Sequence, residues 1–161
     1  MTLREKLVYS SIEAFFKKTE NINIILPIIS GNDTISLRLL DWYVTNFTKK
    51  QSTQYYRNGK QFIVFLDYKA QLKSFSKKLF DPFCRRSRIN FNYGASKHFC
   101  TTVGQLNFFK WAIENKVIDN LHNCIEEVEA NMNSIGVVKE KSCSGIKKIK
   151  KHEVVIVLTF T

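Results

Sequence analysis

Asn58-Gly59 is the tightest local constraint in the chain. The pair stands between Thr53-Gln54-Tyr55-Tyr56 and Gln61-Phe62-Ile63-Val64-Phe65-Leu66, both rich in strand formers. A two-residue Asn-Gly loop suits positive φ at both central positions, the geometry that joins two twisted antiparallel strands. The spacing therefore predicts a hairpin over 53–66, with Arg57 and Lys60 flanking its tip.

Helical periodicity surrounds that hairpin. Thr2 and Glu5 make a T-x-x-E capping pattern, and Leu3, Leu7, Val8, Ile12, Phe15 and Phe16 then recur at helical spacing up to Lys17 and Lys18. A second helix is expected over 34–50, capped by Asp33 or Thr34, with Leu39, Leu40, Tyr43, Val44 and Phe47 along one side. Between the two, the apolar run from Ile22 to Ile29 contains Pro27, which suits an edge strand or an extended connection. Tyr68 to Leu79 fits a continued strand or a helix, and the length of the strand it would complete favours the helix. Asp81-Pro82 breaks the chain before a strand carrying Ile89, Phe91 and Tyr93 on one face. Thr102 and Gln105 form a second capping box, opening helical structure that reaches Met132 with a break near Asn115. The β-branched run from Glu153 to Phe160 reads as a buried strand. The expected architecture is a single compact α+β domain over 1–161, with a small, largely antiparallel sheet and three to four packed helices.

Composition supports that size and class. Of 161 residues 44% are hydrophobic, 13 of them Phe, while Gly and Pro number only 6 and 2, which excludes disordered and collagen-like chains. No apolar stretch approaches the roughly 18 residues of a membrane-spanning helix. The amino terminus, MTLREKLVYSSIEAFF, lacks an apolar signal core, so an intracellular, non-secreted protein is expected.

Charge is the clearest pointer to partners. The net charge is +11, and the excess is concentrated: residues 51–100 hold ten basic side chains against only Asp67 and Asp81. Such a field favours a polyanion, nucleic acid first, with an acidic protein surface or anionic headgroups as rivals and a merely solvated basic face as the bland reading. The candidate phosphate contacts are Arg57, Lys60, Lys69, Lys73, Lys77, Lys78, Arg85, Arg86, Arg88 and Lys97. They are interleaved with Tyr68, Phe75, Phe80, Phe83, Phe91 and Tyr93, which could stack on unpaired bases but are more simply the core faces of strands and helices. A further cluster, Lys147-Lys148-Ile149-Lys150-Lys151, reads equally as a phosphate contact or as a guard on the last strand's edge.

Metal and catalytic signatures are weaker. Cys84, Cys100, Cys124 and Cys143, with His98, His122 and His152, form no C-x-x-C pair, and buried, reduced thiols without metal are expected. The chain has no Walker loop, G-x-G-x-x-G, H-E-x-x-H or G-x-S-x-G, so no cofactor is expected and an enzyme would need an unrecognised site. Glu126, Glu127 and Glu129 read as a solvated helix face.

Three stretches together resemble a group of uncharacterised proteins of large nucleocytoplasmic DNA viruses. They are Ile35-Ser36-Leu37-Arg38-Leu39-Leu40-Asp41-Trp42-Tyr43-Val44-Thr45-Asn46-Phe47, Phe80-Asp81-Pro82-Phe83-Cys84-Arg85-Arg86, and Thr101-Thr102-Val103-Gly104-Gln105-Leu106-Asn107-Phe108-Phe109-Lys110-Trp111-Ala112-Ile113. The resemblance implies a viral protein acting in host cytoplasm or virus factory, with virion and nucleus as alternatives, and carries over no catalytic residue. The leading expectation is a non-enzymatic nucleic-acid-binding protein. The rival is a virion assembly or minor capsid-type protein that meets acidic viral proteins, with Trp42, Phe108 and Trp111 as anchors.

Overall fold

The structure is a computed structural model that describes residues 1–135. Met1–Ile125 forms one compact unit and Glu126–Thr161 a second, of which residues 126–135 are described and helical. The strand expected at 153–160, the lysine cluster at 147–151, Cys143 and His152 lie outside the described residues.

Helix α1 (Leu3–Phe16) starts at the expected capping box. Glu5 N–H donates to Thr2 Oγ1 at 3.2 Å, and Thr2 N–H donates to Glu5 Oε2 at 2.6 Å. Its buried face is narrower than the periodicity suggests: Ile12 and Phe16 are covered, whereas Leu3 and Leu7 remain 76% and 65% exposed.

Helix α2 (Thr19–Ser30) replaces the strand or extended connection expected around Pro27. Ile22, Ile25 and Ile28 are buried at every third position, a spacing that gathers on one helical face and scatters across both faces of a strand. Pro27 is tolerated near the end of the helix. Its carbonyl accepts from Asn32 N–H at 2.8 Å and Asp33 N–H at 3.1 Å, and Gly31 closes the helix at φ 80°.

The helix expected over 34–50 is a composite of α3 (Leu37–Trp42), a π-helical segment (Tyr43–Phe47) and α4 (Thr48–Gln51). Ser36 is the cap, its Oγ accepting from Leu39 N–H at 3.1 Å, while Asp33 Oδ1 accepts from Ile35 N–H in the preceding turn. Thr45 and Thr48 hydroxyls donate back to the carbonyls of Asp41 and Val44 at 2.7 and 2.9 Å. The wider turn brings Tyr43, Val44 and Phe47 inward together.

Strands β1 (Gln54–Arg57) and β2 (Lys60–Ile63) form the expected hairpin, with Asn58 and Gly59 at φ 50° and 74°. The hairpin stops at Ile63 rather than Leu66 because α5 (Val64–Leu79) begins there, settling the ambiguous stretch as helix. Ser76, at φ 60° and ψ 169°, breaks α5 near its end; Arg4 of α1 donates to the carbonyl of Ser74 beside that break. Strands β3 (Arg88–Gly94) and β4 (Lys97–Thr102) make a second antiparallel pair with a register shift between Asn92 and Gly94. Helices α6 (Val103–Glu114) and α7 (Val117–Asn123) follow, divided at Asn115 as the sequence suggests. The result is α+β, with the antiparallel pairing split between two hairpins. Helices outnumber the three or four expected because the 22–29 run is helical and the 34–50 stretch is subdivided.

Helix α6 is the centre of the unit. Every residue from Val103 to Phe109 is buried, as are Trp111 and Ala112, and α6 packs on both α1 and α5. Its first turn lies against the backbone of 78–80, where a Cβ on Gly104 would stand 3.0 Å from the Lys78 carbonyl oxygen and 3.3 Å from Phe80 N. Gln105 completes only half of the expected capping box. Its N–H donates to Thr102 Oγ1 at 3.0 Å, but its side-chain amide donates to the Pro82 carbonyl at 2.9 Å instead of reaching back. Asn107 Nδ2 donates to the Leu79 carbonyl at 2.7 Å, and Asp81 N–H to the Gly104 carbonyl at 3.3 Å. In an open helix Gly→Ala gains roughly 1 kcal/mol, whereas overpacking costs about 1–3 kcal/mol. Because the obstacle is backbone, the second term dominates. Gly104→Ala is expected to lower the thermal midpoint by about 2–4 °C per kcal/mol lost, measurable by calorimetry.

Candidate nucleic-acid interface

The ten cations predicted as phosphate contacts are carried by the first hairpin, α5, the turn after it and the second hairpin. Arg57 and Lys60 flank the first hairpin's tip. Lys69 and Lys73 stand one turn apart on α5, bordering a shallow depression with Ala70 and Leu72. Lys77 follows the break at Ser76. Lys78 and Arg86 line a cleft of about 410 Å³ with Thr2, Glu5, Ser87 and Thr102. Arg88 and Lys97 occupy opposite ends of the β3–β4 ladder.

These cations differ in how far they are neutralised. Arg85 grips Asp81 with both arms of its fork, Nε to Oδ2 and Nη2 to Oδ1, each at 2.9 Å. Asp81 is only 5% exposed and also accepts from Phe83 N–H, so this pair fixes the turn after α5. Lys78 Nζ lies 2.8 Å from Glu5 Oε1 and ties α5 to the start of α1. Arg57 Nη1 donates to Asn115 Oδ1 at 2.6 Å, a neutral partner, and Arg57 makes no ion pair among the described residues. Lys60, Lys69, Lys73, Lys77, Arg86, Arg88 and Lys97 are exposed and make no ion pair among the described residues.

Carboxylates and thiols near the basic segment are tuned by position. Burial, reinforced by the Asp81 charge and opposed by Arg85 and Lys77, raises the Asp41 carboxyl above the ordinary range. Burial is also the main reason that the Cys84 thiol is raised, with Cys100 adding to it and Arg88 opposing it. Cys84 is half-buried and Cys100 exposed, so these two thiols are free but not buried as expected. Among the described residues no three His, Cys, Asp or Glu side chains converge on a metal-sized site.

Of the six interleaved aromatics, Tyr68, Phe80 and Phe91 are buried in the core and Phe75, Phe83 and Tyr93 are half-buried. Phe80 meets Phe108, Trp111 and Tyr68 at ring separations of 5.2, 5.5 and 5.9 Å, and Phe91 is buried beneath Phe16. Phe108 and Trp111 are therefore core residues, not interface anchors; the Trp111 indole donates to Asp67 Oδ2 at 2.6 Å. The exposed aromatic missed by the sequence reading is Tyr56, 80% accessible on β1. Its signal was the strand alternation itself, which directs Tyr55 and Tyr56 to opposite faces.

The three stretches that carry the viral resemblance meet around Asp81. Asp41 comes from the first, Asp81 and Arg85 from the second, and Gly104, Gln105 and Asn107 from the third. A family model described as a family of unknown function, DUF7197, matches residues 2–155. The chain belongs to that family. It is also 44% identical over 116 residues to "Uncharacterized protein L507" of Acanthamoeba polyphaga mimivirus, a match covering 66% of this chain. The chain spans 45% of that viral protein's length. The resemblance to giant-virus proteins is thus borne out. No solved structure matches the chain. No helix among the described residues is long and apolar enough to cross a membrane.

Two ion pairs in this DUF7197 member lead to distinct outcomes. Arg85→Ala leaves Asp81 buried without its fork, and a stability loss of about 2–3 kcal/mol is expected in urea unfolding, with Arg85→Lys intermediate. Hydrogen bonding to Lys78 first, then to the Thr2 backbone, lowers the Glu5 carboxyl to about 2. A carboxyl depressed on folding stabilises above its unfolded value and loses that contribution as pH falls toward 2. Glu5→Gln should therefore melt below the parent at pH 7 and 5, with the difference vanishing toward pH 2.

Proposed function

We infer that the protein is a non-enzymatic nucleic-acid-binding protein whose phosphate contacts come from the 57–97 region. The observation that carries this reading is the set of exposed cations, Lys60, Lys69, Lys73, Lys77, Arg86, Arg88 and Lys97, left without acidic partners among the described residues. Lys78 and Arg85 sit in the same segment but are engaged by Glu5 and Asp81. Their first role is structural, and the exposed set supplies the field. Uncompensated lysine and arginine gain affinity for a polyanion by releasing its condensed counterions, whatever the sequence. Arginine adds a fork that fits phosphate oxygens.

The resemblance to a mimivirus protein supports a setting in the infected cell, the host cytoplasm or virus factory, or else the nucleus or the virion. The alternative from another class is a virion assembly protein that meets acidic viral proteins through the same cations. Exposed Leu3 and Leu7 on α1 give that alternative an apolar contact surface.

Affinity for fluorescent single-stranded and duplex oligonucleotides across a salt series tests the reading. Log affinity should fall linearly with log salt, by about 0.9 per phosphate contact on duplex DNA and about 0.7 on single strands. Lys69→Ala with Lys73→Ala should weaken binding to all sequences alike and flatten the slope by about one for each contact removed. Absence of binding at low salt would transfer the positive charge to a protein partner and put virion assembly first.

A further inference from the structure

The two faces of the β3–β4 hairpin differ sharply in chemistry. Residues paired across the ladder share a face, and neighbours along a strand alternate. Ile89, Phe91, Phe99 and Thr101 therefore lie on one side, and Arg88, Asn90, Asn92, His98 and Cys100 on the other. The first side is seated on the unit. Phe91 is buried, its ring 6.1 Å from Phe16, 6.3 Å from Tyr9 and 5.9 Å from Phe99, and Thr101 is buried with it. All five residues of the second side are exposed. The hairpin is thus a two-stranded ribbon anchored by one face and open on the other.

The open face carries more than solvation requires. Asparagine is a poor strand former, yet Asn90 and Asn92 hold consecutive outward positions on β3. Neither carboxamide hydrogen-bonds to the protein among the described residues, so each keeps its donors and its acceptor free. Arg88 makes no ion pair among the described residues and lies beside the neutral Cys84 thiol. No Asp or Glu occurs in the sequence between Asp81 and Glu114, and Asp81 is closed off by the Arg85 fork. The face consequently presents one guanidinium and two free carboxamides in a row, with no carboxylate of its own. Arg86 precedes β3 by two residues and Lys97 begins β4 at the tip, so an exposed cation stands toward either end of the ribbon.

We propose that this face enters the major groove of B-form DNA and reads base edges there. That groove, about 12 Å wide, admits a two-stranded β-ribbon. Outward side chains two residues apart on a strand are spaced by about 6.6–6.8 Å, roughly two base-pair steps, so the row spans about four to five base pairs. A guanidinium fork matches guanine O6 and N7, and a carboxamide matches adenine N6 and N7. Arg88 accordingly meets a guanine edge rather than a phosphate, Asn90 and Asn92 meet adenines, and Arg86 and Lys97 hold phosphates that position the ribbon. The proposal rests on the nucleic-acid reading above and narrows it to duplex DNA. The major groove of A-form RNA is too deep and narrow for side chains, and this face carries no Phe, Tyr or Trp on which an unpaired base would stack.

The test selects duplexes with a randomised core on the parent protein, then measures affinity for the enriched duplex and for a scrambled one. A core of about four to six base pairs containing guanine and adenine should be enriched. Asn90→Ala and Asn92→Ala should each lose about 5- to 150-fold affinity for the enriched duplex and less than about 2-fold for the scrambled one. Their salt slopes should match the parent's, because no phosphate contact is removed. Arg88→Lys keeps the charge but not the fork, and should show the same selective loss. Purines carrying carbon in place of N7, placed in the enriched core, should weaken the parent's binding to the level of the scrambled duplex. Circular dichroism confirms that these surface variants fold. Salt-dependent binding without an enriched core, equal losses on both duplexes, or binding confined to single strands would overturn the ribbon proposal and leave the phosphate reading standing. A parent that binds no nucleic acid at low salt would overturn both.

Discussion

The contact on which the first unit depends is the embrace of residues 79–82 by the opening turns of α6. It is made of backbone as much as side chain: Gly104 lets α6 approach, and Gln105 and Asn107 reach the carbonyls of Pro82 and Leu79. Over Val103–Phe109 the helix has no solvated face, so each polar side chain in that span must find a partner. Thr102 and Gln105 find theirs in the cap and in Pro82, and Thr101 donates to Gln105 Oε1 at 2.7 Å. Tyr43 is the exception among the described residues. Its hydroxyl is buried without a hydrogen-bond partner, and that burial raises it above the ordinary phenol range.

What the sequence revealed and what it hid follow the range of each interaction. The Asn58-Gly59 turn, the Thr2–Glu5 cap and the break at Asn115 depend on neighbours within a few residues and were legible. The helix around Pro27 was not, because a proline and a β-branched run point locally to an extended chain. The burial of Ile22, Ile25 and Ile28 on a shared face overrides that preference. The π segment was equally hidden, since widening by one residue shifts periodicity less than the ambiguity of the pattern itself. Gln105 looked like half of a reciprocal cap, but a carbonyl 23 residues away took its amide.

The basic segment illustrates the same divide for the candidate site. Its composition was plain, yet composition does not separate a cation that braces the fold from one that faces solvent. Arg85 and Lys78 belong to the first kind, Lys69 and Arg86 to the second, and only tertiary placement of Asp81 and Glu5 distinguishes them. Aromatic interleaving was ambiguous for the same reason. Phe80 and Phe91 are enclosed by other rings, whereas Tyr56, outside the stretch where stacking was sought, is the ring left open to solvent.

The position of α6 along the chain also sets the order in which the protein can assemble. Lys110 of α6 donates to Ser11 of α1 across 99 residues, and α6 supplies the buried surface on which both α1 and α5 rest. Closing a loop of that length costs entropy before any burial compensates it. During synthesis α1 through β4 leave the ribosome before their central packing partner exists, and their apolar faces wait uncovered. Local elements such as the Asn-Gly hairpin can form in that interval, but cooperative folding must await emergence of α6. Truncation before Val103 would thus remove the core itself, not a terminal ornament.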